Sequence, residues 1–94
     1  MNPRSPVPYD LGISAVRADA LFASALQRSD KPGAGQVRQA IAATIVARGG
    51  SGCAALVAQA FGEHPETAVT RMRWARTTVA DVFGAARPEL ARAA

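Results

Sequence analysis

The sequence is poor in the residues that usually carry chemistry. It holds one cysteine, Cys53, and one histidine, His64. A lone cysteine makes no internal disulfide, which points to a reducing cytoplasm, and it reads as a small buried apolar residue. Cys53 and His64 together are at most half a zinc site, so no metal is expected. His64 reads as a turn residue. Acidic residues number only 7, and no two fall at helical spacing inside an apolar stretch. With no cofactor motif either, an enzyme is the weakest class, and neither a cofactor nor a small-molecule ligand is expected. Gly49-Gly50-Ser51-Gly52 has the glycine content of a phosphate loop. No Lys-Ser/Thr follows it and no strand pattern precedes it, so it reads as a helix-to-helix turn. Neither a long apolar run nor a charged-then-apolar leader is legible, and no membrane partner is expected.

What the chain does have is alanine and arginine. Ninety-four residues make one domain, too short for two cores. Hydrophobic residues are 49% of the chain, enough for a folded domain. Many are alanines, which favour helices and bury little area each, so the expected core is thin and helical.

The position of the charge is more telling than its sum of +4. In residues 1–30, Arg4, Arg17 and Arg28 balance Asp10, Asp19 and Asp30. In residues 81–94, Arg87 and Arg92 balance Asp81 and Glu89. The whole excess sits in 31–80, where Lys31, Arg38, Arg48, Arg71, Arg73 and Arg76 face only Glu63 and Glu66. A single-sign segment of this kind favours a polyanionic partner.

Hydrophobic periodicity predicts four helices between a tail at 1–10 and another at 85–94. The first spans 14–28, with Ser14 as N-cap and Val16, Leu21, Phe22, Ala25 and Leu26 on its apolar face. It ends in Ser29-Asp30-Lys31-Pro32-Gly33, a cluster of turn formers. The second spans 34–48. Val37, Ile41 and Ile45 recur every four residues, and Gln36 is placed to close back on a Gly33 cap; its β-branched Thr44-Ile45-Val46 leaves a strand open. Gly49 and Gly50 end it. Ser51 caps a short third helix to Phe61, with Cys53, Leu56, Val57, Ala60 and Phe61 inward. Gly62 is expected to turn the chain with positive φ. Pro65, suited to a first helical turn, starts the fourth helix. That helix runs to Phe83, and its stripe of Ala68, Met72, Ala75, Val79 and Val82 is the cleanest in the chain.

The stretch 56–76, LVAQAFGEHPETAVTRMRWAR, resembles the helix-turn-helix of region 4 in bacterial sigma factors and related regulators. Val57-Ala58-Gln59 stands for the opening of that motif and Phe61-Gly62 for its Leu-Gly. Thr67, Arg71, Met72, Ala75 and Arg76 fall at matching distances. Glu63, His64 and Trp74 depart from the usual aliphatic, capping and polar residues. The likeness covers about a fifth of the chain, and the regions that let sigma factors bind polymerase and open promoters are missing. A looser likeness is to small actinobacterial helix-turn-helix proteins, some nucleoid-associated. The resemblance implies an all-α, four-helix domain at 11–84 containing a tri-helical helix-turn-helix, with the last helix in a DNA major groove.

On that helix Glu66, Val69, Thr70 and Arg73 form the row opposite the apolar stripe, with Thr67 beside it. Their chemistry suits base edges: an Arg fork for guanine, a Thr hydroxyl for either role, Val for a thymine methyl, Glu for a cytosine amine. Lys31, Arg38, Arg48, Arg71 and Arg76 are the candidate phosphate contacts, which set affinity more than sequence preference. Trp74 reads as boundary core against the first helix, or as an anchor at an interface. The expected function is therefore double-stranded DNA binding in the cytoplasm, at the nucleoid, by a transcription regulator or nucleoid-associated protein, as a homodimer or at many sites. The alternative is a protein-interaction module that docks on RNA polymerase or another regulator.

Overall fold

The computed structural model describes residues 7–84, with side chains from residue 12 onward. Among the described residues the chain is all-α, with three helices where the periodicity predicts four. Helix α1 is Val7–Ala23, α2 is Ala34–Glu63 and α3 is Pro65–Phe83, and a short 3-10 turn, Arg28–Asp30, lies between α1 and α2. Each helix packs on the other two.

Helix α1 starts earlier and stops earlier than its pattern suggests. Residues 7–10, read as tail, belong to the helix, and Ser14 lies inside it, so it is not a cap. The residues expected to be tail at 1–6 and 85–94 lie outside the described part. At the other end, the Ser24 hydroxyl donates to the Leu21 carbonyl over 2.7 Å and its oxygen accepts from the Leu26 amide. A serine that closes on the backbone in this way competes with helix continuation. Gln27 to Asp30 then form their own turn, where the Gln27 amide donates to an Asp30 carboxylate oxygen over 2.9 Å.

Helix α2 begins where expected. The Gly33 amide donates to Gln36 Oε1 over 3.0 Å, the glycine half of a capping box. The two helices expected on either side of Gly49-Gly50 share one span but meet across a kink at Gly49, where the boundary between them is expected, and Thr44-Ile45-Val46 is helical in the first of them. Only Gly49 leaves helical geometry, at φ 73° and ψ 168°, a region essentially open to glycine alone. Ser51 is inside the span. Gly62 does not turn the chain either: it is helical, and the break falls two residues later at His64, φ −141° and ψ 68°. The cause is Pro65, whose ring disfavours the α region for the residue before it. His64 therefore closes α2 through its amide to the Ala60 carbonyl and opens α3 through its carbonyl to the Ala68 amide.

The core is small and alanine-rich, as the composition implies. Ala18, Ala20, Leu21 and Phe22 from α1 meet Val37, Ile41 and Cys53 from α2 and Ala68, Met72, Ala75 and Val79 from α3. Phe22 stacks on Phe61, ring centres 6.2 Å apart, which ties α1 to the last turns of α2. Val16, expected inward, is 40% exposed. Helix α2 is also long and apolar enough by composition to cross a membrane, a run the sequence reading does not pick out. Here its Val37, Ile41 and Cys53 face the other helices, while Val46 is 86% exposed.

Candidate nucleic-acid interface

The two faces of α3 divide as its periodicity predicts. Ala68, Met72, Ala75 and Val79 are buried, and Glu66, Thr67, Val69, Thr70 and Arg73 are exposed, as are Arg76 and Thr77. Burial of one stripe fixes the rotation of the helix, so the polar row faces outward without any contact of its own. Val69 is 39% exposed, an apolar side chain open in the middle of a polar strip. The Thr70 hydroxyl donates to the Glu66 carbonyl one turn back over 3.2 Å and keeps its lone pairs free to accept.

Two open grooves border this strip. The first, about 680 Å³, lies between α1 and the C-terminal half of α3 and is lined among others by Ile13, Arg17, Arg76, Val79 and Phe83. Arg17 stacks its guanidinium on the Phe83 ring at 4.0 Å from the centre, and that of Arg38 lies 5.9 Å from the same ring. Arg76 acts on the half-buried Asp19. Burial raises the Asp19 carboxyl above the usual carboxylate range, and Arg76 opposes that rise. So α1, α2 and α3 each bring one arginine to this end of the molecule.

The second groove, about 420 Å³, lies on the other border, beside the N-terminal half of α3. Glu66, Thr67, Thr70, Arg71 and Trp74 line it, together with Gln27 and Arg28 from the connection after α1. Trp74 is half-buried against the core, the boundary position expected for it.

Arg71 takes a different part from the one its charge suggests. Its Nε donates to the Phe22 carbonyl over 2.9 Å, and its Nη2 reaches the carbonyls of Ser24 at 3.0 Å and Leu26 at 2.9 Å. The guanidinium carbon sits 5.6 Å from the Phe22 ring centre and 5.1 Å from that of Trp74. A helix ends with unpaired carbonyls and partial negative charge, and Arg71 supplies both the donors and the positive charge there. Burial lowers its pKa, as for any cation withdrawn from water. The side chain expected at a phosphate is occupied in holding α1 to α3.

The remaining candidates are spread out. Lys31 is exposed in left-handed backbone, φ 49°, just after the 3-10 turn. Arg48 is exposed beside the Gly49 break and lines neither groove. It is close enough to Cys53 to act on the thiol, whose pKa is raised first by burial and then by Asp19, with Arg48 opposing. Cys53 is fully buried. Among the described residues no group of three or more His, Cys, Asp or Glu could hold a metal.

Arg17 and Arg28 are the residues that sequence reasoning passes over. Both sit in the segment whose charges cancel, so a sum over residues 1–30 hides them. A three-to-four residue periodicity of arginine across helices would not have found them either, because their neighbours in space are on other elements.

Among the described residues these features define an all-helical fold in which the outward polar strip of α3 lies between two arginine-bearing grooves. No family model, curated protein or solved structure matches the chain.

Proposed function

We propose that this protein binds double-stranded DNA, with the exposed strip of α3 in the major groove. The observation that carries the reading is the division of α3: the row suited to base edges, Glu66, Val69, Thr70 and Arg73, is the row left open when the helix is packed. Helix α3 and the two halves of α2 about Gly49 make up the tri-helical helix-turn-helix of this reading. Arg73 serves as the fork for a guanine edge, and Thr67, Thr70 and Glu66 meet bases nearer the start of the helix. Arg38, Arg76 and Lys31 reach phosphates. One short helix makes few base contacts, so useful affinity calls for a homodimer or for many sites along the DNA. The biological role is then that of a small transcription regulator or nucleoid-associated protein in the cytoplasm.

Binding to a site selected from random duplexes, compared with scrambled DNA at several salt concentrations, tests the reading. With these three phosphate contacts at about 0.9 each, log K against log salt should fall with a slope of about −3. Arg73→Ala should lose about 1–3 kcal/mol on the selected site and much less on scrambled DNA. A protein that shows no affinity for duplex DNA at low salt does not have this function.

The exposed apolar side of α2, with Val46 86% exposed and Ala42, Ala43 and Ala47 open beside it, favours a second reading. In it the protein is an interaction module that docks on RNA polymerase or another regulator. Substitution of Val46 by Glu would abolish that docking and leave DNA binding intact.

A further inference from the structure

The two grooves stand in a definite relation to the exposed strip of α3, and this relation points to a specific use for Arg17 and Arg28. At 100° per residue, the α3 side chains of the first groove, Arg76, Val79, Ala80 and Phe83, centre on one side of the strip. Those of the second, Glu66, Thr67, Thr70, Arg71 and Trp74, centre on the other. The angular offset is roughly 80° in each direction from the middle of the strip. The grooves are also staggered along the axis by about ten residues, or ~15 Å at 1.5 Å per residue. A cation from a different element stands in each: Arg28 beside Thr67 and Thr70, and Arg17, with Arg38, at Phe83 beside Arg76.

A helix lying in a major groove about 12 Å wide has one phosphate backbone on each side. Where it crosses the groove obliquely, the two backbones approach it at different heights. Diagonally placed cations match that arrangement, and cations on one side alone do not. We propose that Arg28 and the Arg17–Arg38–Arg76 group are two phosphate clamps that grip opposite strands of one duplex across α3. The proposal rests on the reading of α3 as a groove-binding helix and adds to it two residues and a geometry. Phe83 has a part in this: its ring lies 4.0 Å from the Arg17 guanidinium carbon and so holds the fork in place before a phosphate arrives. A guanidinium stacked on a ring keeps its in-plane N–H donors free for two oxygens.

Each clamp has an acid beside it: Glu66 lines the groove of Arg28, where Arg71 offsets it, and Asp19 lies near Arg76. Arg17 and Arg38 keep the local balance positive at the second clamp.

Phosphate-ethylation interference on the selected duplex, together with the salt dependence of binding, tests the clamps. The parent protein should show two clusters of interfering phosphates, one per strand, on opposite sides of a major groove. Arg28→Gln should erase one cluster, and Arg17→Gln should thin the other, which Arg38 and Arg76 still hold in part. Each should weaken binding several-fold at low salt and lower the salt slope by about 0.9. Arg17→Lys should keep the slope, since the charge remains, which separates loss of a contact from loss of the Phe83 stack. Interference confined to one strand, or Arg17→Gln and Arg28→Gln variants that behave like the parent, overturns the clamps while Arg73 discrimination keeps the groove reading intact. Absence of any duplex binding by the parent overturns both. Equal affinity and equal slope losses on single-stranded DNA would show cation sites that do not grip a duplex, and would overturn the two-strand geometry.

Discussion

Arg71 and Phe22 are joined by a hydrogen bond of 2.9 Å from the arginine Nε to the phenylalanine carbonyl, across 49 residues of sequence. The same guanidinium meets the Ser24 and Leu26 carbonyls, so one side chain of α3 closes the end of α1 and the start of its loop. Arg71→Ala would leave these acceptors without their charged donor. Hydrogen bonds to charged groups are worth about 1.5–3 kcal/mol, and a domain of this size loses roughly 4–8 °C of Tm per kcal/mol. Thermal melting should therefore fall by about 6 °C or more. Arg71→Lys should recover only part of it, because a point charge cannot serve carbonyls lying in several directions. An unchanged Tm in Arg71→Ala would mean that the guanidinium is held by water and not by α1.

Met72 is the largest α3 side chain in the core. Truncation to alanine removes packing that the surrounding alanines cannot replace. The expected loss is about 2–5 kcal/mol, a large share of what a domain this small has. Chemical denaturation with a folded-baseline check measures it. If the loss is below ~1 kcal/mol, the faces of α3 have been exchanged.

The glycines of α2 should respond in opposite senses. Gly62 is helical with open space at its missing Cβ, so Gly62→Ala should stabilise by about 0.5–1 kcal/mol. Gly49, at φ 73° and ψ 168°, is in a conformation that costs any other residue about 1–3 kcal/mol, and Gly49→Ala should destabilise accordingly. The pair distinguishes a chain break at Gly49 and His64 from the turn at Gly62 that the helix-turn-helix pattern suggests.

Asp19 should give the fold a pH dependence. Its carboxyl is raised by burial, with Arg76 opposing. A carboxyl raised on folding binds its proton more tightly in the folded state. The stability this contributes is complete below the unfolded pKa of about 3.9 and is lost as pH rises through the folded value. At pH 7 the ionised group is a net cost, so Asp19→Asn should melt higher than the parent there. The difference should shrink as pH falls towards 4. A variant that melts lower at pH 7 would show that attraction to Arg76 outweighs burial.

The sequence by itself determined α3 almost completely. Pro65 can open a helix, the stripe from Ala68 to Val79 repeats at helical spacing, and Gly84 closes it, so boundaries, buried face and exposed row all follow from local pattern. The start of α2 at Gly33 and Gln36 was legible for the same reason, since a cap is made by residues three apart. The turn before α3 falls at His64 and not at Gly62 because glycine permits a turn and does not require one, whereas a proline restricts the residue before it. Ser14 likewise carries capping chemistry that the helix running past it leaves unused. What only the tertiary structure decided was the fate of each arginine. The arginines are alike in the sequence, and exposure, neighbours and acceptors separate them. Arg71 is taken by carbonyls from α1, Arg38 and Arg76 are joined by Arg17 at Phe83, and Arg28 is brought beside Thr67. Long side chains find partners across helices, and the identity of those partners depends on how the helices cross, which periodicity along a single chain does not encode.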